Sequence, residues 1–200
     1  ITENEEDAIN TARGNLTLNI CHECSFIFNS DFDPNKLEYS EKYDNTQDKS
    51  PFFHNYIDNE INYLINRWGV RNKSIIEIGC GKGTFLNRIV SASDSTGYGF
   101  DPSYSGEETQ LDGKVRFNKS FYDDRYAHIP ADVVICRHVI EHVQNPVQLL
   151  KNIHKALRNR KDALVFFETP NVEWIFNNSV IFDFFYEHCS YFNKNSIANV

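Results

Sequence analysis

The segment Glu77-Ile-Gly-Cys-Gly-Lys-Gly83 places one carboxylate and three glycines, Gly79, Gly81 and Gly83, in a single short run. Glycines at this spacing allow backbone angles and close ligand approaches that other residues resist. If the run ends a strand and opens a helix, the free N–H groups of the helix start face an electronegative ligand. Asp101 closes the next apolar run, 22 residues after Gly79. A carboxylate there can accept both hydroxyls of a ribose. The spacing is G-x-G-x-G, with Thr84 where a shifted dinucleotide fingerprint needs glycine. A Rossmann-like domain for another nucleotide therefore stays open as an alternative.

Two further groups have the residue types of chemistry. His138-x-x-Glu141-His142 matches the H-x-x-E-H pattern of one zinc peptidase class, which needs both histidines on one helix face. Here the pattern follows an apolar strand with no clear third ligand. As the residue at the carboxyl edge of that strand, His138 is a candidate ligand contact, and His142 a structural residue. Cys21-His-Glu-Cys24 is a candidate metal pair, Cys21 and Cys24. Structural zinc takes four ligands, so one pair is half a site. His22 and His54 are the candidate substitutes, and two unmetallated thiols are the alternative.

The elements that must position these residues follow from periodicity. Residues 50–69 form a predicted helix: Ser50 caps it, Pro51 suits its first position, Gly69 stops it, and Ile57, Ile61, Leu64, Ile65 and Trp68 share a face. From residue 74 strands and helices alternate. Strands are expected at 74–78, 97–100, 115–118, 132–136 and 163–168. Helices are expected at 83–91, at 146–158 with Val147, Leu150, Ile153 and Leu157 buried, and from about residue 195. Runs such as Val-Val-Ile-Cys are apolar throughout, which implies burial on both faces of a parallel sheet. Leu16–Ile20 and 25–28 read as two short strands around the Cys21–Cys24 knuckle, and 31–48 as loop. The expected fold class is α/β, a Rossmann-like, doubly wound, mostly parallel sheet. Residues 1–49 make an N-terminal segment and 50–200 the core.

The chain of 200 residues has a formal net charge of −8, 40% hydrophobic residues and 16 Phe. This supports one domain with a real core. The acidic balance argues against a nucleic-acid partner. No apolar run approaches the ~20 residues needed to span a bilayer, so no membrane partner is expected. Five cysteines, three of them isolated, fit a reducing, cytoplasmic location. Methionine is absent, which reads as a fragment. Oligomeric state is not readable.

The loop from Glu77 to Gly83, together with Asp101 and the strand order, resembles motif I and the ribose-binding acid of class I S-adenosylmethionine-dependent methyltransferases. The segment Arg137–His142 before Asn145-Pro146 is similar to a strand-then-His-Val-Leu-Glu-His segment in many of them. The resemblance implies S-adenosyl-L-methionine as cofactor, contacted by Glu77, Gly79, Gly81, Gly83, Asp101, His138 and Phe121. Ser120 stands where the family often has Asp, so adenine falls to backbone and Phe121. Phe182–Phe192, with Glu187-His188 and Tyr191, resembles a segment of sugar C-methyltransferases. Those proteins also carry an N-terminal zinc region with paired Cys-x-x-Cys and then a Tyr-rich segment, similar here to Cys21–Cys24 and Glu38–Tyr43. This implies His188 as base, Glu187 as its orienting partner or itself the base, and Tyr191 as a substrate hydrogen bond. It also implies Tyr43 near the cofactor, structural zinc in the full-length protein only, and a chain shortened at both ends. Methyl transfer to a small molecule is the implied activity, including C-methylation of a sugar nucleotide. N- or O-methylation, or a non-catalytic cofactor-binding module, are the alternatives.

Overall fold

The computed structural model describes residues 4–11, 13–37 and 49–199. Tyr43, and with it the segment Glu38–Tyr43, lies outside the described residues. In chain order the elements are α1 (Glu5–Asn10), β1 (Leu18–Ile20), β2 (Ile27–Asn29), α2 (Pro51–Trp68), β3 (Ser74–Ile78), α3 (Thr84–Ser93), β4 (Thr96–Phe100), β5 (Thr109–Gln110), β6 (Val115–Asn118), β7 (Val133–Arg137), α4 (Pro146–Leu157), β8 (Leu164–Glu168), α5 (Val172–Asn177), β9 (Ser190–Tyr191) and α6 (Lys194–Asn199). They form two compact units, Ile1–Glu38 with Pro170–Asn199, and Tyr39–Thr169 with Val200. The sequence reading keeps residues 170–199 with the core, whereas in the structure they cluster with the N-terminal segment.

The larger unit holds a six-stranded sheet of order β5-β6-β4-β3-β7-β8. All its pairings are parallel except β5 with β6. The chain runs outward from β3 through β4 to β6, then returns to the other side of β3 for β7 and β8. That reversal between β3 and β7 is the place where such sheets open a crevice at their carboxyl ends. The doubly wound, mostly parallel α/β expectation is met.

Local chemistry explains the helices. The Ser50 side chain accepts from the Phe53 N–H at 3.3 Å to start α2, and Gly69, at φ 66, ends it. Ile57, Ile61, Leu64 and Ile65 of α2 pack with Phe85, Leu86, Ile89 and Val90 of α3 over one face of the sheet. Ile76, Ile78, Val134 and Cys136 face the other way, onto Leu149, Ile153 and Leu157 of α4. Two expected core residues point elsewhere. Trp68, the last residue of α2, is 52% exposed, and Val147 is 45% exposed. The buried stripe of α4 is Leu149, Ile153, Ala156 and Leu157. It obeys the 3.6-residue period but is rotated from the expected face, because the sheet, not the helix, chooses which side is covered.

The smaller unit is a three-stranded antiparallel sheet of order β1-β2-β9. Ile27, Val172 and Tyr191 form its core, with Phe184 packed against them. The Tyr186 hydroxyl accepts from the Asp33 N–H at 2.7 Å and donates to the Asp31 carbonyl at 3.2 Å. Helix α6 opens with a reciprocal cap: Asn193 Oδ1 accepts from the Ser196 N–H at 2.8 Å, and Ser196 Oγ accepts from the Asn193 N–H at 2.9 Å.

Candidate functional site

At the carboxyl end of β3 the chain turns through Gly79, Gly81 and Gly83, at φ 72, 53 and 83. These left-handed angles favour glycine. A Cβ on Gly79 would lie 2.0 Å from Val139 Cγ2, and one on Gly83 would lie 2.5 Å from the Phe117 ring. A Cβ on Gly81 would meet nothing within 4 Å. Gly79 and Gly83 are thus fixed by packing, and Gly81 borders open space.

Asp101 lies just beyond β4. One of its oxygens accepts the Gly81 N–H at 2.9 Å. The other accepts the Ser103 N–H at 2.8 Å and the Ser103 hydroxyl at 2.6 Å. A carboxylate offers about four acceptor sites, so one on the first oxygen remains open. Glu77 is 2% exposed, and its Oε2 has no hydrogen-bond partner. Burial pushes its carboxyl up to about 8, against the opposing pull of Arg137 and the Leu86 N–H. Phe121, just past β6, is 64% exposed. Next to it the Ser120 hydroxyl donates to the Tyr126 hydroxyl at 3.1 Å.

The carboxyl ends of β7 and β8 carry a polar cluster of which the sequence pattern singled out only His138 and Glu141. Glu168 is its hub. It accepts Arg137 Nε at 2.6 Å, the Tyr56 hydroxyl at 2.5 Å and His138 Nε2 at 3.0 Å. Burial pushes the Glu168 carboxyl up, but His138, Arg137 and Tyr56 outweigh it and hold it at about 2. His138 Nδ1 lies 3.6 Å from Glu141. Bonding to Glu141 and then Glu168 raises the imidazole to about 9, so it is a cation at neutral pH. The buried Glu141 accepts the Thr169 hydroxyl at 3.1 Å. Arg137 also lies over the Phe85 ring, 4.2 Å from its centroid. Parallel strands expected to be almost wholly apolar hid this cluster. The available signal was that both strands end in a charge, Arg137 and Glu168, in register with each other.

The H-x-x-E-H reading does not survive. Residues Ile140–His142 form one 3-10 turn and His138 sits at φ 52, so the two histidines do not share an α-helical face. Cys21 and Cys24 flank the turn between β1 and β2 as free, partly exposed thiols. Backbone N–H groups of Cys24, then Glu23, lower the Cys21 thiol. Two thiols do not by themselves make a closed zinc site. Among the other sequence candidates, His188 and Tyr191 are buried in the smaller unit and Glu187 is partly buried. The Tyr191 hydroxyl donates to the Phe185 carbonyl at 3.1 Å, and its ring is 5.7 Å from that of His188.

No helix among the described residues is long and apolar enough to cross a membrane. A methyltransferase-domain family model matches residues 52–200. A tRNA U34 carboxymethyltransferase of Sulfurimonas denitrificans is 31% identical over 58% of this chain and 45% of that protein. A ubiquinone biosynthesis O-methyltransferase of Rickettsia bellii is 28% identical over 58% of this chain and 50% of that protein. The chain thus spans about half the length of the curated relatives it matches. The structure of magnesium protoporphyrin IX methyltransferase from Synechocystis, with bound S-adenosylhomocysteine, covers 79% of this chain and 75% of its own, at 17% identity and a TM-score of 0.53. The expectation of no nucleic-acid partner is corrected by these relatives, since one is named for a tRNA nucleoside. Net charge is a sum over the whole surface, whereas a nucleic-acid contact is local. The glycine turn, the sheet order and the matched span together place this chain in the methyltransferase domain family, with the fold of class I S-adenosylmethionine-dependent methyltransferases.

Proposed function

We propose that the chain binds S-adenosyl-L-methionine at the carboxyl ends of β3 and β4 and transfers its methyl group to a small-molecule acceptor. The observation that carries this is the pairing of Gly81 with Asp101: open space at one, and an unfilled carboxylate acceptor site at the other. Those residues fit a ribose diol, and the unpartnered Glu77 oxygen fits a positive group. Gly79 and Gly83 let the backbone turn close beneath the ligand, and Phe121 offers a ring face for a base. The bound cofactor supplies an electrophilic methyl on a sulfonium, so the protein's contribution is to position donor and acceptor.

The larger unit carries one half-exposed charge suited to ordering an acceptor, the His138 imidazolium, held by Glu168. C-methylation of a sugar nucleotide is the finer reading, motivated by the Glu187-His188 and Tyr191 segment. There His188 acts as base, Glu187 orients it or itself takes the proton, and Tyr191 binds the substrate. Its test is turnover of His188→Ala with cofactor binding intact: turnover within a few-fold of the parent removes His188 from the chemistry. A nucleic-acid acceptor is the second reading, favoured by the 31% identity to a tRNA-modifying relative.

Calorimetric titration with S-adenosylhomocysteine tests the cofactor site. Micromolar binding that Asp101→Ala abolishes supports it. A well-folded protein that does not bind overturns it.

A further inference from the structure

Glu77 lies in the middle of the sheet, in register with Gly99 of β4 and Ile135 of β7. It is only two residues ahead of the glycine turn. The Leu86 backbone N–H, at the start of α3, bonds its carboxyl group. Its Oε2 is buried and has no partner. The charged and titratable groups facing it are known from each surrounding element. From β7 comes Arg137, whose Nε is already committed to Glu168 at 2.6 Å and whose plane lies on Phe85. From the end of β4 comes Asp101, which repels a second negative charge. From the turn and from β7 come the buried thiols of Cys80 and Cys136, which burial holds protonated. A carboxylate here would be a buried charge whose nearest cation is spent elsewhere, and such a group takes up a proton instead.

We propose that Glu77 is a neutral acid in the ligand-free protein and releases its proton when a cationic group of the bound cofactor enters beside it. The proposal rests on the cofactor reading above. The proton passes to solvent, and the carboxylate left behind becomes the counter-ion of the ligand's cation. S-adenosylmethionine offers two such cations, its sulfonium and its α-ammonium. The consequence is selectivity for a charged ligand without a permanently buried anion.

The test is calorimetry in two buffers of different ionisation enthalpy. At about pH 6.5 the ligand's own α-amino group, of pKa about 7.8, is already charged, so proton release reports the protein. Three ligands separate the sources: S-adenosylmethionine carries both cations, S-adenosylhomocysteine only the ammonium, and 5′-methylthioadenosine neither. Close to one proton is expected to leave with S-adenosylmethionine, and none with 5′-methylthioadenosine. Release with S-adenosylhomocysteine as well assigns the partner as the ammonium. Release with S-adenosylmethionine alone assigns it as the sulfonium. In Glu77→Gln the release disappears. Should that variant not fold, the protonated-carboxyl band lost from the parent's infrared difference spectrum on binding gives the same answer. Binding of S-adenosylmethionine without proton release, or equal release in a folded Glu77→Gln, overturns the proposal and leaves the cofactor reading standing. Failure of all three ligands to bind overturns both.

Discussion

Tyr56 and Glu168 stand 112 residues apart in sequence, yet the phenol of one donates to the carboxylate of the other at 2.5 Å. The bond ties α2 to strand β8 at the carboxyl end of the sheet. Burial, then this bond, pushes the Tyr56 phenol up, so it remains a donor across any workable pH. Tyr56→Phe is expected to cost about 1–2 kcal/mol of stability, a charge-assisted bond lost without a cavity. Urea unfolding of the two proteins measures it, and equal midpoints with equal slopes would show the latch to be idle.

The same hub sets how stability depends on pH. Glu168 is depressed to about 2 from an ordinary value near 4.5. A depressed acid contributes stability above its unfolded value and loses it as pH falls toward the folded one. Between about pH 4.5 and 2 the parent should therefore lose on the order of 2 kcal/mol that Glu168→Gln never had. Thermal melts across that window decide it, and parallel curves for the two proteins would count against the hub.

His138 has the opposite sign. Its folded value, about 9, lies above the ordinary 6.5. The stabilising pair is complete below 6.5 and fades as pH rises through 9. Half of the side chain is exposed, so the contribution is small. The sharper readout is the imidazole itself. Its NMR titration midpoint should sit well above 7 in the parent and fall toward 6.5 in Glu168→Gln, and a parent midpoint near 6.5 would exclude the pairing in solution.

Glu77 adds a third slope. Its folded value is about 8, against 4.5 ordinarily. In the unfolded chain it ionises first, so the ligand-free protein should lose stability as pH rises from about 4.5 to 8. Glu77→Gln removes that decline. Urea midpoints at pH 5 and pH 8 for both proteins test this, and an equal decline in each would show that other groups cause it.

The glycines separate packing from binding. A Cβ on Gly83 would strike the Phe117 ring at 2.5 Å at a φ of 83, so Gly83→Ala should cost roughly 2–4 kcal/mol. Gly81→Ala meets nothing within 4 Å and pays only the left-handed backbone, about 1–2 kcal/mol. It should stay folded yet lose at least tenfold in S-adenosylhomocysteine affinity. Unchanged affinity in Gly81→Ala would place the ligand elsewhere.

Local chemistry made much of this legible. The Ser50-Pro51 and Asn145-Pro146 starts, the Gly69 stop and the apolar strands are short-range signals, and the structure places the corresponding elements within about two residues of where the sequence puts them. The glycine turn and Asp101 were legible for the same reason: backbone strain and strand ends are written in consecutive residues. What sequence could not show was which distant ends meet. Glu168 looked like the last residue of an apolar strand, Arg137 like a flank of His138, and Tyr56 like a helix residue. Arg137 and Glu168 meet because the parallel strands β7 and β8 end in register, and α2 brings Tyr56 to them. The lesser errors have the same origin. Periodicity fixed that α4 has a buried stripe, but the sheet beneath decided that Leu149 is covered and Val147 is not. The amino-acid sequence by itself determined the main elements, the glycine turn and the mostly parallel character of the sheet. Tertiary structure alone decided which charges are buried together, because burial and proximity of residues far apart in the chain belong to no local pattern.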